Sequence, residues 1–184
     1  MRAHGDVSSF AGKVVVVTGA AGGIGRVAAA RFAAEGASVV AVDLPGDGVD
    51  ETVRQIEAAG GTARSVPADV TDEAQVANYV AAAVQAFGGV DVLFNNAGIE
   101  GIVAPMSSYP VEMFDKVLAV NVRGVFLGIK HAGPAIAARG GGSIVNTSSV
   151  AGLGGSAASR SAATASRPTW PRWSRSSPAT KPPS

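Results

Sequence analysis

The chain has 184 residues, a length for one domain, and its 47% hydrophobic and 16% charged residues are globular composition rather than that of a disordered chain. The formal net charge of +1 argues against electrostatic binding to nucleic acid or a membrane surface, and the absence of cysteine excludes disulfides and thiolate metal sites. His4 and His131 are too few for a histidine-based zinc site, no apolar run is long enough to span a bilayer, and the N-terminus does not read as a signal peptide. No metal is expected, and the expected compartment is the cytoplasm.

The charge is unevenly spread. Residues 1–155 carry all 14 acidic residues and 10 of the 15 basic ones, a net of −4. Residues 156–184 carry no acid and five bases: Arg160, Arg167, Arg172, Arg175 and Lys181. That stretch holds eight serines, five of the ten prolines and both tryptophans, Trp170 and Trp173, but no aliphatic side chain larger than alanine. It has little to bury against the entropy of ordering it. Residues 1–155 are read as the folded domain and 156–184 as a disordered basic tail.

In chain order, Lys13 to Val17 is a short β-branched run stopped by Thr18-Gly19, which suits a strand covered on both faces of a parallel sheet. Residues 23–35 predict a helix ended by Gly36, with Ile24, Val27, Ala28, Arg31 and Phe32 at helical spacing. Ser38 to Val42 is a second buried strand ending at Asp43, and Leu44 to Gly48 a loop. Val49 to Ala59 is a helix stopped by Gly60-Gly61, and Ala63 to Ala68 a weaker strand. Thr71-Asp72-Glu73 opens a helix running to Phe87, Val90 to Asn95 is a strand, and Val111 to Ala138 reads as one long helix with Pro134 as its weak point. Gly142 to Thr147 is a fifth strand. This alternation predicts an α/β fold with a doubly wound parallel sheet, incomplete at its C-terminal edge. Ligands of such sheets sit at the carboxyl ends of the strands.

Four strand ends carry candidate chemistry. Thr18-Gly19-Ala20-Ala21-Gly22-Gly23-Ile24-Gly25 joins the first strand to the first helix. Glycines there let backbone approach a ligand, and N–H groups at a helix N-terminus suit a pyrophosphate. On its own the loop also suits an ordinary strand-to-helix turn. Asp43, 24 residues after Gly19, is placed to accept the ribose hydroxyls of an adenosine. A helix-capping or loop-opening aspartate is the plainer alternative. If Asp43 holds the ribose, it repels a 2′-phosphate by about 4 kcal/mol per unit charge at 4 Å and an effective dielectric of 20. No basic residue follows it within ten positions, so NAD is favoured over NADP. Asn95-Asn96-Ala97-Gly98 leaves room for a flat ligand, and Asn146-Thr147-Ser148-Ser149 sets hydroxyls where one could face a carbonyl. Each of these two, taken alone, is equally well a turn.

Together these pieces resemble the short-chain dehydrogenase/reductase superfamily over roughly residues 8–155. The matching residues are Thr18-Gly19, Gly23 and Gly25, then Asp43, Asp69-Val70, Asn95 to Gly98, Asn121 within Val120-Asn121-Val122, and Ser149, in the family's order and spacing. The resemblance implies a Rossmann-type domain. It implies that Thr18, Gly19, Gly23, Ile24 and Gly25 hold the cofactor pyrophosphate, that Asp43 selects NAD, that Asp69 and Val70 meet the adenine, and that Asn95, Ala97 and Gly98 support sheet and cofactor. It implies catalytic roles for Asn121, which bends its helix and anchors a water in a proton relay, and for Ser149, orienting a substrate carbonyl. The substrate class is a secondary alcohol or carbonyl compound, and members usually form homo-oligomers, an assembly in doubt for this chain.

The family's proton donor is a tyrosine beyond the serine, followed one helical turn later by a lysine. No tyrosine follows Tyr109 here, residues 150–180 hold no lysine, and the pair falls near Ala162 and Ser166. Losing a positioned general acid costs roughly 10²–10⁴-fold in rate. Tyr109 and Lys130 lie outside the pattern. The reading is a chain of oxidoreductase ancestry without turnover, alternatively a catalytically dead NAD-binding fragment of a frameshifted gene. A divergent tail, or a basic segment using Arg172 and Trp173 on nucleic acid, are the other readings of residues 156–184. The fifth strand is expected to be an exposed edge, with apolar faces of helix 111–138 bare and solubility poor.

Overall fold

The computed structural model describes residues 9–149. A parallel sheet of five strands runs in the order β3-β2-β1-β4-β5. The strands are β1 (Val14–Thr18), β2 (Ser38–Asp43), β3 (Thr62–Pro67), β4 (Val92–Asn95) and β5 (Ser143–Asn146). Helices α1 (Gly23–Ala34), α2 (Asp47–Ala58) and α3 (Glu73–Phe87) link the first four strands. The chain order reverses between β1 and β4, both paired to their neighbours in parallel register, with Val15 opposite Val39 and Val92. That reversal is where α/β sheets open a ligand crevice.

Strand alternation divides the valine run between two cores. Val14 and Val16, with Val40 and Val42 of β2, pack against Val76, Tyr79 and Val80 of α3. Val15 and Val17, with Val39 and Ala41, face Ala29 and Ala33 of α1 and Val49 and Ile56 of α2. Small residues on α1 let it lie close to the sheet. Phe32 seals this layer edge-to-face against Phe10, with ring centroids 4.9 Å apart, and against Phe94 at 6.5 Å. Asp72 caps α3 by accepting from the Ala74 and Gln75 N–H groups at 2.8 and 3.1 Å. These hydrogen bonds hold its carboxyl below the usual carboxylate range, Gln75 contributing most.

The single helix expected over 111–138 is corrected. It is α4 (Val111–Leu118), a π-helical turn (Ala119–Gly124) and α5 (Val125–Ala138). The interruption does not fall at Pro134, through which α5 continues. It falls at Asn121, whose side chain leaves the helix to bind backbone elsewhere. Apolar periodicity passes through one widened turn almost unchanged, so the pattern conceals it. Asp47 and Gly48, expected in a loop, form the first turn of α2.

Among the described residues β5 is one edge of the sheet, β3 being the other, and it is exposed along most of its length. Val111, Phe114, Leu118, Val122 and Phe126 are exposed along α4, the π turn and α5, Phe126 at 60%. The expected tail, 156–184, lies outside the described residues.

Candidate cofactor site

The carboxyl ends of β1, β4 and β5 are joined by neutral hydrogen bonds. Thr18, only 2% exposed, accepts through Oγ1 from the N–H groups of Asn96 (2.9 Å) and Ala97 (3.0 Å). The Asn96 amide donates to the Thr18 carbonyl at 3.1 Å, and Thr147 Oγ1 donates to Asn96 Oδ1 at 3.2 Å. This ties the glycine loop to the segments after β4 and β5. Gly19 sits in the left-handed region at φ +71°, and a Cβ on it would lie 2.9 Å from the Asn96 amide nitrogen. At Gly25 a Cβ would lie 1.9 Å from the Gly19 carbonyl oxygen. The first turn of α1 therefore folds directly onto the loop.

Around Gly22 and Gly23 the picture is opposite. A Cβ at either would meet nothing within 4 Å, and no side chain caps α1. Ile24 stands 67% exposed at this lip. Beside the loop, the Asp43 carboxylate accepts from the Ala21 N–H through Oδ2 and from the Leu44 N–H through Oδ1, each at 2.8 Å. The aspartate at the end of β2 and the glycine loop after β1 thus meet, although 22 residues separate the bonded pair.

The remaining sequence-selected residues are placed as follows. Asp69 closes a turn, accepting from the Thr71 N–H at 2.8 Å, while its own N–H donates to Gln75 Oε1. Val70 lies under the π turn, 3.0 Å from where a Cβ on Gly124 would stand. Asn95 is buried and donates to Asn146 Oδ1 at 3.0 Å. Asn121 donates to the Ile99 carbonyl at 2.8 Å and accepts from the Ile99 N–H at 2.9 Å, pinning the loop that follows Gly98. A Cβ on Gly98 would stand 3.4 Å from Asn121 Oδ1. Ser149, the last described residue, is exposed. The positions of the expected Tyr-Lys pair, Ala162 and Ser166, lie outside the described residues. Tyr109 and Lys130 are engaged elsewhere: the Tyr109 hydroxyl with the Ile102 N–H, and Lys130 with Glu73. Hydrogen bonds from Lys130 and then His131 hold the Glu73 carboxyl below its ordinary range.

Two residues at this end escaped the sequence reading: Arg26 and Thr52. Arg26 donates to the carbonyls of Ala21 and of Gly48, the latter at 3.1 Å, and through Nε to Thr52 Oγ1 at 3.0 Å. The buried Thr52 hydroxyl lies 2.7 Å from the Ala20 carbonyl oxygen. An arginine directly after the glycine loop and a threonine one turn into α2 were the available signals. Among the described residues there is no cluster that could hold a metal ion, and no helix is long and apolar enough to cross a membrane.

A glycine loop, an acid at the end of the second strand and a reversal between β1 and β4 define a Rossmann-type α/β sheet. The chain belongs to the short chain dehydrogenase family, whose profile matches residues 13–167. It is 43% identical over 148 residues to levodione reductase of Leifsonia aquatica, covering 79% of this chain and 55% of that protein. To 2,5-dichloro-2,5-cyclohexadiene-1,4-diol dehydrogenase LinX of Sphingobium indicum it is 46% identical over 146 residues, covering 78% and 57%. A solved NAD+-bound xylitol dehydrogenase superposes with a TM-score of 0.78 at 40% identity, over 80% of this chain and 57% of that one. The chain spans about half the length of the curated relatives it matches.

Proposed function

We propose that this chain binds NAD through the crevice above β1, β2 and β4, and that it does so without turning over an alcohol or carbonyl substrate. The observation that carries the first part is the Asp43 carboxylate bonded to the Ala21 N–H of an uncapped glycine loop. The donor set suits the cofactor. Open space at Gly22 and Gly23 admits a pyrophosphate. Asp43 uses one lone pair of each oxygen on backbone N–H groups and keeps others for ribose hydroxyls. A bound relative, the xylitol dehydrogenase, supports NAD as the ligand.

Preference for NAD over NADP follows from the same carboxylate. A 2′-phosphate beside it meets a repulsion of about 4 kcal/mol at 4 Å and an effective dielectric of 20. The nearby cation, Arg26, is already committed to two carbonyls and a hydroxyl.

The cofactor, when bound, exchanges a hydride with a carbon bearing oxygen. The oxygen must then gain or lose a proton. Ser149 can orient such an oxygen but is not a proton donor of suitable pKa. Asn121 uses its carboxamide on Ile99. Alanine and serine stand at 162 and 166, where the family places its tyrosine and lysine. Relatives named as reductases and diol dehydrogenases support a secondary alcohol or carbonyl compound as the ancestral substrate class. The abrupt change of composition after Gly155 fits a shifted reading frame. A Tyr-x-x-x-Lys before an apolar helix in another frame of the coding DNA supports that origin, and its absence from both overturns it.

The test is a thermal-shift titration of the full chain with NADH and NADPH, beside an assay of alcohol oxidation. Ligand at about 100 times its Kd stabilises by about 2.7 kcal/mol, a shift of several degrees. Stabilisation by NADH without turnover is expected. Stabilisation by neither nucleotide overturns the binding reading, and measurable turnover overturns the claim of inactivity.

A further inference from the structure

We infer that Arg26 and Thr52 are positioning residues that set the affinity of the glycine loop for a nucleoside diphosphate. The inference rests on the NAD-binding reading and concerns two successive peptide groups.

The first is the peptide between Ala20 and Ala21. Its N–H donates to Asp43 Oδ2 at 2.8 Å, and its carbonyl oxygen lies 2.7 Å from the Thr52 hydroxyl. A trans peptide points its N–H and C=O in opposite directions. Thr52 and Asp43 therefore grip one rigid unit from both ends. Freed from Thr52, the unit is held by Asp43 alone, and the following peptide of the loop, whose N–H is left to the diphosphate, is free to rotate.

The second is the peptide between Ala21 and Gly22. Arg26 draws its carbonyl toward α2, where the same guanidinium also holds the Gly48 carbonyl at 3.1 Å. By the same planarity, the Gly22 N–H is turned away from Arg26, on a residue that is exposed. Gly48 brings α2 close enough for this: a Cβ there would stand 2.9 Å from the Ala21 Cβ. Thr52 completes the circuit by accepting from Arg26 Nε at 3.0 Å. The Ala20 and Ala21 carbonyls are thus held on the α2 side; the Ala21 N–H is taken by Asp43, and the Gly22 N–H is the one left to the ligand side.

The arrangement separates positioning from binding. Arg26 is a cation beside an anion site, yet its Nε and one terminal nitrogen are given to a hydroxyl and two carbonyls, so the role inferred for it is orientation of the backbone rather than direct ligation of a phosphate.

The experiment is calorimetric titration of the full chain with NADH, ADP-ribose and adenosine. ADP-ribose carries the pyrophosphate that the loop receives, whereas adenosine does not. Arg26→Gln is expected to weaken ADP-ribose and NADH by about tenfold, the scale of one charge-assisted hydrogen bond, and adenosine by less than about threefold. Arg26→Lys recovers part of the loss, since one ammonium cannot reach all three acceptors. Thr52→Val weakens both diphosphate ligands by about fivefold while Thr52→Ser leaves them unchanged, which keeps the question open to decision should Arg26→Gln fail to fold. A merely structural role lowers the melting temperature and reduces all three ligands alike, and that uniform loss overturns the inference. Unchanged ADP-ribose affinity in Thr52→Val and Arg26→Gln also overturns it while NAD binding stands. If the unaltered chain binds none of the three, it is the NAD-binding reading that fails, and this inference falls with it.

Discussion

The two ends of the sheet are held together by different chemistry. At the carboxyl end, Thr18, Asn96 and Thr147 join β1, β4 and β5 with neutral hydroxyl and amide groups. At the amino end, Asp91, only 5% exposed, accepts from the Val14 N–H at 2.9 Å and pairs with Arg139 at 3.0 Å and Lys13 at 3.3 Å. Burial alone would raise the Asp91 pKa, but these three partners outweigh it and hold the carboxyl below its ordinary range. The ion cluster therefore serves the fold. At the opposite end the Asp43 carboxylate accepts from two backbone N–H groups and has no cation paired with it among the described residues. On the NAD-binding proposal, charge serves stability at one end and recognition at the other.

The sharpest way to break this contrast is Asp91→Ala. It leaves the Val14 N–H and the inner face of Arg139 without an acceptor, at a loss of about 3 kcal/mol by denaturant unfolding. NADH affinity of the folded fraction is expected to stay within about twofold, an effect below 0.5 kcal/mol. The pH dependence carries a sign. Because the folded pKa is depressed, the stabilisation is present above the unfolded value of about 3.9 and is lost as pH falls through the folded one. Acid unfolding should thus be flatter in the variant. If Asp91→Ala instead weakens NADH while leaving stability intact, the division of roles between the two ends is wrong.

Thr18→Val is the corresponding change at the ligand end. The N–H groups of Asn96 and Ala97 lose their acceptor, for about 2 kcal/mol of stability. Here NADH binding is expected to fall with it, because the glycine loop is no longer fixed to the segment after β4. Asp43→Asn acts on recognition with little effect on the fold, since the amide oxygen still accepts one backbone N–H. Removing up to about 4 kcal/mol of repulsion should bring NADPH at least tenfold closer to NADH in affinity, at 1.4 kcal/mol per decade. Unchanged discrimination in paired titrations would sink the assignment of Asp43.

The same contrast explains what the sequence could tell. β1 and β2 were legible because strands buried on both faces are continuous valine runs. Gly19 and Gly25 were legible because close backbone approach restricts residue type at fixed spacing, and the place of Asp43 because it ends a valine-rich strand beside that loop. Apolar periodicity did not show the π turn, since one wide turn barely alters it; the family resemblance alone marked Asn121 as a bend, and nothing in the sequence names the Ile99 backbone as its partner. Asn95 and Asn96 look equivalent in sequence. Alternation along an extended chain sends one into the junction with Asn146 and the other across to Thr18 and Thr147. Arg26 and Thr52 were missed because their partners are mostly backbone carbonyls, which no residue pattern advertises.

Between the two ends lies a polar group that neither network reaches. The Tyr79 hydroxyl is buried in the core beneath α3 and has no hydrogen-bond partner among the described residues. Burial pushes its pKa up to about 12. Tyr79→Phe deletes the unpartnered hydroxyl and keeps the ring, so the fold should gain up to about 1 kcal/mol, the low end of the penalty for an unsatisfied buried group. The sign can be checked independently in alkali. A raised folded pKa means the contribution is complete below the unfolded value of about 10 and is lost as pH rises through the folded one. Wild type should therefore weaken between those values in a way the phenylalanine variant does not. Equal alkaline profiles, with Tyr79→Phe less stable at neutral pH, would show that the hydroxyl is held and that the satisfied networks are not confined to the sheet ends.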